Sequence, residues 1–251
     1  MKYFLGLLFL LSFCITSSYA QEETYYEMTK ADELYREARM RKSVPPYGLH
    51  KIQGLIKAIE SQQSDDADEG IEALKPQQYK SLSLREKFTY TMINPEMYSQ
   101  NCAIFVPVPE ENKKIFGQLM SWVDECTWSD RQMNFLRENR DSVMGLIKES
   151  TLRSKKMGVN YKDALVLIHA WESIPFIIDY YQSNSIDKDA LTVLLLLMKN
   201  GEFIPFLESL NYSILYDLDY TYEAWINYNT DNEALIVKQA RAYYTERKNN
   251  K

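Results

Sequence analysis

The chain has 251 residues, with 29 Lys and Arg against 35 Asp and Glu, a net charge of −6, and 45% hydrophobic residues. That acidic balance argues against nucleic acid as a partner, because its binders gather Lys and Arg on one face, and against electrostatic attachment to an anionic membrane surface. With only 8 glycines, backbone cradles for phosphate are scarce, and no phosphate-binding loop, dinucleotide fingerprint or Gly-x-Ser-x-Gly is present.

Met1-Lys2 opens an apolar run from Tyr3 to Ile15, broken only by Gly6, Ser12 and Cys14. Small and polar residues continue to Ala20, then the acidic Gln21-Glu22-Glu23. These are the three parts of a secretory signal, with cleavage expected between Ala20 and Gln21. The run falls short of the roughly 20 residues that span a bilayer, which disfavours an uncleaved anchor. Phe13 stands where a lipoprotein signal wants a small residue, which argues against lipidation of Cys14. The expected organisation is a signal peptide over 1–20 and one helical domain over 21–251, with a sub-boundary near 157–160. The expected location is the periplasm or the exterior, with no membrane span once the signal is removed. The signal and the Asn-, Lys- and Tyr-rich composition point to a Gram-negative bacterium.

Helical periodicity dominates the chain beyond the signal. Met28, Ala31, Leu34, Tyr35 and Ala38 share one face of a helix starting near Thr24, and Leu49, Ile52, Leu55, Ile56 and Ile59 share another after Pro45-Pro46. The acidic stretch Ser64 to Gly70 lacks the spaced glutamate of a calcium-binding loop and reads as solvated surface. Ser83 and Glu86 form a capping box that opens a helix, and Pro95 ends it at Asn94. Residues 94–109 are irregular, with Ala103 to Val106 extended. A helix is expected from Pro109, placing Ile115, Leu119, Trp122, Val123 and Cys126 on one inward face. The next helix begins at Ser129 or Asp130, with Met133, Leu136, Val143, Met144 and Ile147 facing in.

Outside the signal the cysteines are Cys102 and Cys126. In an oxidising compartment an even pair reads as one disulfide. The competing reading, a nucleophilic Cys102, needs a nearby base, and the chain offers only His50 and His169.

Ala164 to Trp171 and Ala190 to Met198 are apolar on all sides, the mark of helices buried all round. Lys162-Asp163-Ala164-Leu165 recurs as Lys188-Asp189-Ala190-Leu191, and Ile174-Pro175-Phe176 recurs as Ile204-Pro205-Phe206. Each copy reads as a buried helix, a break and a helix opened by proline, the unit of a short α-solenoid of helical hairpins in the C-terminal half. The Ile-Pro-Phe openings resemble those of HEAT-like repeats. A last helix, capped by Thr230 or Asp231, ends in basic residues that suit its negative end. The fold class expected is all-α, with about ten helices in an array.

Chemistry is sparse. His169 and Glu172 stand three apart on one helix and can begin a metal site or a general base, but no further ligand is placed to complete a set. Asp217 and Asp219 form a carboxylate pair in a Tyr-rich stretch, which glycoside hydrolysis could use. No cofactor is expected. The 19 tyrosines offer contact area with a polar tip, which interfaces favour. The leading expectation is an exported helical binding protein that engages another protein, without catalysis. The alternatives are a hydrolase of envelope polymers using Asp or Glu with His169, and an immunity- or inhibitor-like protein that masks a basic partner.

Overall fold

A computed structural model describes residues 26–60, 73–98, 107–217 and 223–250. Among the described residues the fold is all-α, with 67% of them in helix and twelve α-helices. The signal sequence with Ala20 and Gln21, the acidic stretch 64–70, the extended stretch 103–106, Cys102 and Asp219 lie outside the described residues.

Four helices come first: α1 (Lys30–Met40), α2 (Leu49–Glu60), α3 (Pro76–Ser81) and α4 (Leu84–Ile93). Thr29 caps α1 by accepting from the Asp32 amide at 3.2 Å. The capping box at the start of α4 is formed: Ser83 accepts from the Glu86 amide at 3.3 Å, and the Glu86 carboxylate accepts from the Ser83 amide at 2.9 Å. Ile52, Leu74, Leu82 and Tyr90 are fully or almost fully buried together, a satellite core flanked by Leu55, Ile56 and Ile59 of α2.

The helix expected from Pro109 is not formed. The segment instead makes a 3-10 turn (Glu111–Lys113), strand β2 (Lys114–Phe116), a second 3-10 turn (Met120–Val123) and strand β3 (Cys126–Thr127). β3 pairs antiparallel with β1 (Met97–Tyr98), and β2 pairs antiparallel with β4 (Trp225–Asn227), Ile115 opposite Ile226. A partner strand far along the chain thus overrides a local spacing that mimicked a helix. Ile115 and Leu119 are buried as expected, but Cys126 lies on an exposed strand instead of an inward helix face. Its thiol is free in this structure, and Cys102, the partner expected for it, lies outside the described residues.

The remaining helices are α5 (Asp130–Glu138), α6 (Arg140–Ser154), α7 (Val159–Leu167), α8 (Ile174–Ser183), α9 (Asp189–Asn200), α10 (Ile204–Leu207), α11 (Leu210–Tyr216) and α12 (Thr230–Asn249). One helix expected from Ser129 is two, because Asn139 leaves helical geometry between α5 and α6. α12 is capped by Asn229, whose side chain accepts from the Asn232 amide at 2.8 Å, not by Thr230 or Asp231.

α9 is the centre of the main core. Residues 189–198 are all buried, and the helix packs on α7, α8, α10, α12 and β2. Each leucine removed from water there contributes about 1.5–3 kcal/mol before entropy is counted. α7 and α9 end in the same way. His169 (φ 49°) and Glu202 (φ 52°) take left-handed backbone, and the next amides, of Ala170 and Phe203, reach back to the Leu165 and Met198 carbonyls at 2.9 and 3.0 Å. This is a Schellman closure, and each is succeeded by a helix opened by Pro175 or Pro205. The Lys-Asp-Ala-Leu stretches do not share that register: Lys162-Asp163 lies inside α7, whereas Lys188-Asp189 is the N-terminal boundary of α9.

Candidate functional site

The expected inward face of α1 is the first place where the structure departs from the periodicity with a functional consequence. Tyr35 is buried, but Ala31 and Ala38 are exposed and Leu34 is 54% exposed. The residues that turn inward are polar: Asp32 and Arg39 are 3% and 4% exposed. Arg39 donates through Nε to both Asp189 oxygens at 3.0 and 3.2 Å, lies 3.7 Å from Glu111, and stacks on the Phe116 ring at 4.0 Å. Arg36 of α1 also pairs with Glu111. α1 is therefore held to the body by ions on one face and leaves its apolar stripe uncovered on another.

That stripe forms one wall of a groove of ≈ 610 Å³. The opposite side comes from the end of α6, the start of α7 and the α8–α9 turn, with Met157, Tyr180 and Ile186 contributing. Ile186 is 74% exposed and Val44 is 56% exposed, large for side chains so apolar. The floor is held together by backbone groups. The Val159 amide donates to the Arg41 carbonyl at 3.0 Å, the Gly158 amide donates to Ser43 Oγ at 2.8 Å, and the Ser43 amide donates to Asn160 Oδ1 at 2.8 Å. A Cβ at Gly158 would come within 2.2 Å of the Ser43 amide nitrogen, so only glycine admits this approach.

The groove is basic although the chain is acidic. Arg41, Lys42, Lys155, Lys156 and Lys188 line it. Among the described residues its one lining carboxylate, Asp187, is already engaged: it accepts from Lys162 at 2.5 Å and from the Tyr180 hydroxyl at 2.8 Å. Lys188 is buried against the Tyr228 ring at 4.2 Å, and desolvation lowers its pKa.

A second cavity, of ≈ 440 Å³, shares Lys42 with the groove. Asp163 of α7 lies in that second cavity, with its carboxyl raised to about 7 by burial.

The residues singled out in the sequence fall elsewhere. His169 Nε2 stands 2.8 Å from the Tyr243 hydroxyl, and burial, then the charge of Arg247, lowers its pKa. Glu172 is held by Arg140, whose guanidinium also donates to the Ile168 carbonyl at 2.8 Å and to the His169 carbonyl at 2.7 Å. His169 and Glu172 thus converge on the C-terminal closure of α7, with Arg140 between them. Asp217 is an exposed residue ending α11. Among the described residues, no group of three or more His, Cys, Asp or Glu could hold a metal, and no helix is long and apolar enough to cross a membrane. Asp163 was not among the residues picked out for chemistry in the sequence, although a carboxylate immediately before an apolar run is itself a signal. No protein-family model, curated protein or solved structure matches the chain.

Proposed function

We propose that the protein is an exported binding protein that captures an acidic, amphipathic segment of a partner protein in the groove along α1. The observation that carries this reading is the uncovered stripe Ala31, Leu34 and Ala38 facing the exposed Ile186 across a groove with a basic rim. An apolar helix face in a groove is how amphipathic segments are recognised, and Arg41, Lys155 and Lys156 supply charge of the opposite sign to acidic flanks. Export rests on the N-terminal sequence: one basic residue, a short apolar run and small residues before Gln21. An immunity- or inhibitor-like role toward a basic partner rests on net charge alone, and the local sign of the groove favours an acidic one.

The reading predicts that a labelled peptide of alternating Leu and Glu binds in fluorescence anisotropy, while the same peptide with Lys for Glu does not. Lys155→Glu with Lys156→Glu weakens binding of the acidic peptide at least about tenfold and flattens its salt dependence. Equal binding of both peptides, or no effect of the double substitution, would overturn the assignment of the groove.

A further inference from the structure

The second cavity plays no part in that reading. Its ≈ 440 Å³ falls within the size range of small-molecule sites, about 300–1,000 Å³. Met92, Leu119, Val166 and Leu196 make apolar walls, joined by the indoles of Trp122 and Trp128. The Trp128 ring is fixed by a 2.9 Å bond from its Nε1 to the Thr91 carbonyl. Asp163 lies among them from the interior of α7. Its Oδ1 accepts from the Ser121 hydroxyl at 2.7 Å, the residue is half-buried, and among the described residues its carboxyl makes no ion pair.

The neighbouring charges are occupied. Asp124 of the turn before β3 pairs with Lys42 at 2.9 Å, Lys162 of α7 pairs with Asp187 at 2.5 Å, and Asp189 of α9 pairs with Arg39 at 3.0 Å. Lys199, at the end of α9, lies over the Tyr216 ring at 4.6 Å. Asp163 is left as a carboxyl without an ionic partner, facing a cavity walled by aromatic rings. We propose that this cavity is a second binding site, for a small organic cation: a protonated amine carried on an apolar body of about one ring, its ammonium on Asp163 and its body against the two indoles. The cation supplies the missing counter-charge and draws Asp163 into its ionised form, and indole faces attract ammonium groups. An anion would meet the Asp163 carboxyl, while of the two lysines in the lining Lys42 is neutralised by Asp124 and Lys199 lies over the Tyr216 ring. A neutral ring would leave the carboxylate desolvated. Desolvation is the largest cause of the raised Asp163 pKa, with Asp124 and Asp189 adding to it and Lys162 opposing, so amine binding below about pH 7 releases a proton.

The test is an NMR titration of the protein with phenethylamine and with 2-phenylethanol, read on its 4 tryptophan indole resonances. At about pH 8 the amine binds at least about tenfold more tightly than the alcohol, and the margin shrinks at about pH 5.5, where Asp163 holds its proton. The Trp122 and Trp128 resonances move while those of Trp171 and Trp225 stay. In Asp163→Asn the indole spectrum remains dispersed and the preference for the amine is lost. Equal binding of amine and alcohol, an unchanged preference in Asp163→Asn, shifts confined to Trp171 and Trp225, or no shift at all would each overturn the proposal.

Discussion

Arg39→Ala is expected to destabilise the protein by about 3–5 kcal/mol, the cost of leaving buried charge without its counter-ion. Arg39, Asp189 and Glu111 are 4%, 1% and 0% exposed, so water cannot replace the guanidinium. The substitution also strips the cation from the Phe116 ring. Against a total stability of about 5–15 kcal/mol, that is a large share. Two features limit the loss: Asp189 opens α9, where helix amides favour a negative charge, and Glu111 keeps Arg36. Urea unfolding followed by circular dichroism measures the change as a lowered midpoint at constant slope. In a double-mutant cycle, Asp189→Ala should cost far less on top of Arg39→Ala than alone. A loss below about 1 kcal/mol would mean that the pair behaves as a surface ion pair and that α1 is held by something else. The consequence for function is direct, because the same anchor turns the apolar stripe of α1 toward the groove.

Asp163→Asn should do the opposite and stabilise the protein above neutral pH. The ordinary carboxyl value is 3.8, and in the fold burial raises Asp163 to about 7. In acid the group is protonated in both states and contributes nothing to the pH dependence. Between about pH 4 and pH 7 the unfolded chain ionises while the folded one resists, so stability falls as pH rises. Above that window the folded protein carries the cost of holding the carboxylate ionised in its half-buried place, roughly 4 kcal/mol. The asparagine keeps the shape and an acceptor for Ser121 but removes the charge. The variant should therefore match wild type near pH 4 and exceed it by roughly 4 kcal/mol at pH 8, measured by urea unfolding at each pH. His169 titrates in part of the same window with the opposite slope, since its lowered pKa makes stability fall as pH drops below the ordinary value of 6.5. Taking the difference between the two proteins cancels it. Identical stability at pH 8 would show that the carboxyl is solvated. A carboxyl kept at such a cost in an apolar cavity is what a binding site requires and a mere core does not.

The helices were legible in the sequence because period and caps agree. The Ser83–Glu86 box and the all-apolar run of α9 need no distant information, whereas the buried helix expected over Ala164 to Trp171 already ends at Leu167. Periodicity alone did not say what covers an apolar stripe. Ala31, Leu34 and Ala38 satisfy the spacing of a core face, yet the buried face of α1 is chosen by Arg39 finding Asp189 and Glu111, partners that stand far away in the chain. The strand β2 was illegible for the same reason: Ile115, Leu119 and Trp122 mimic one helix face, and only pairing with Trp225–Asn227 decides otherwise. Of the site, the hydrophobic wall was visible as composition and misplaced in space. His169 and Glu172 drew attention as chemistry, whereas the structure uses both around the closure of α7.

The most direct test of the groove is a photo-cross-linking amino acid placed at Ile186 and at Leu34, with Lys248 near the end of α12 as the control, in the cell of origin. The account predicts one shared adduct from Ile186 and Leu34, absent from Lys248, competed away by the acidic Leu-Glu peptide and lost when Lys155→Glu and Lys156→Glu are combined. Adducts that form equally from Lys248, or that survive both the competitor and the charge reversal, would contradict it.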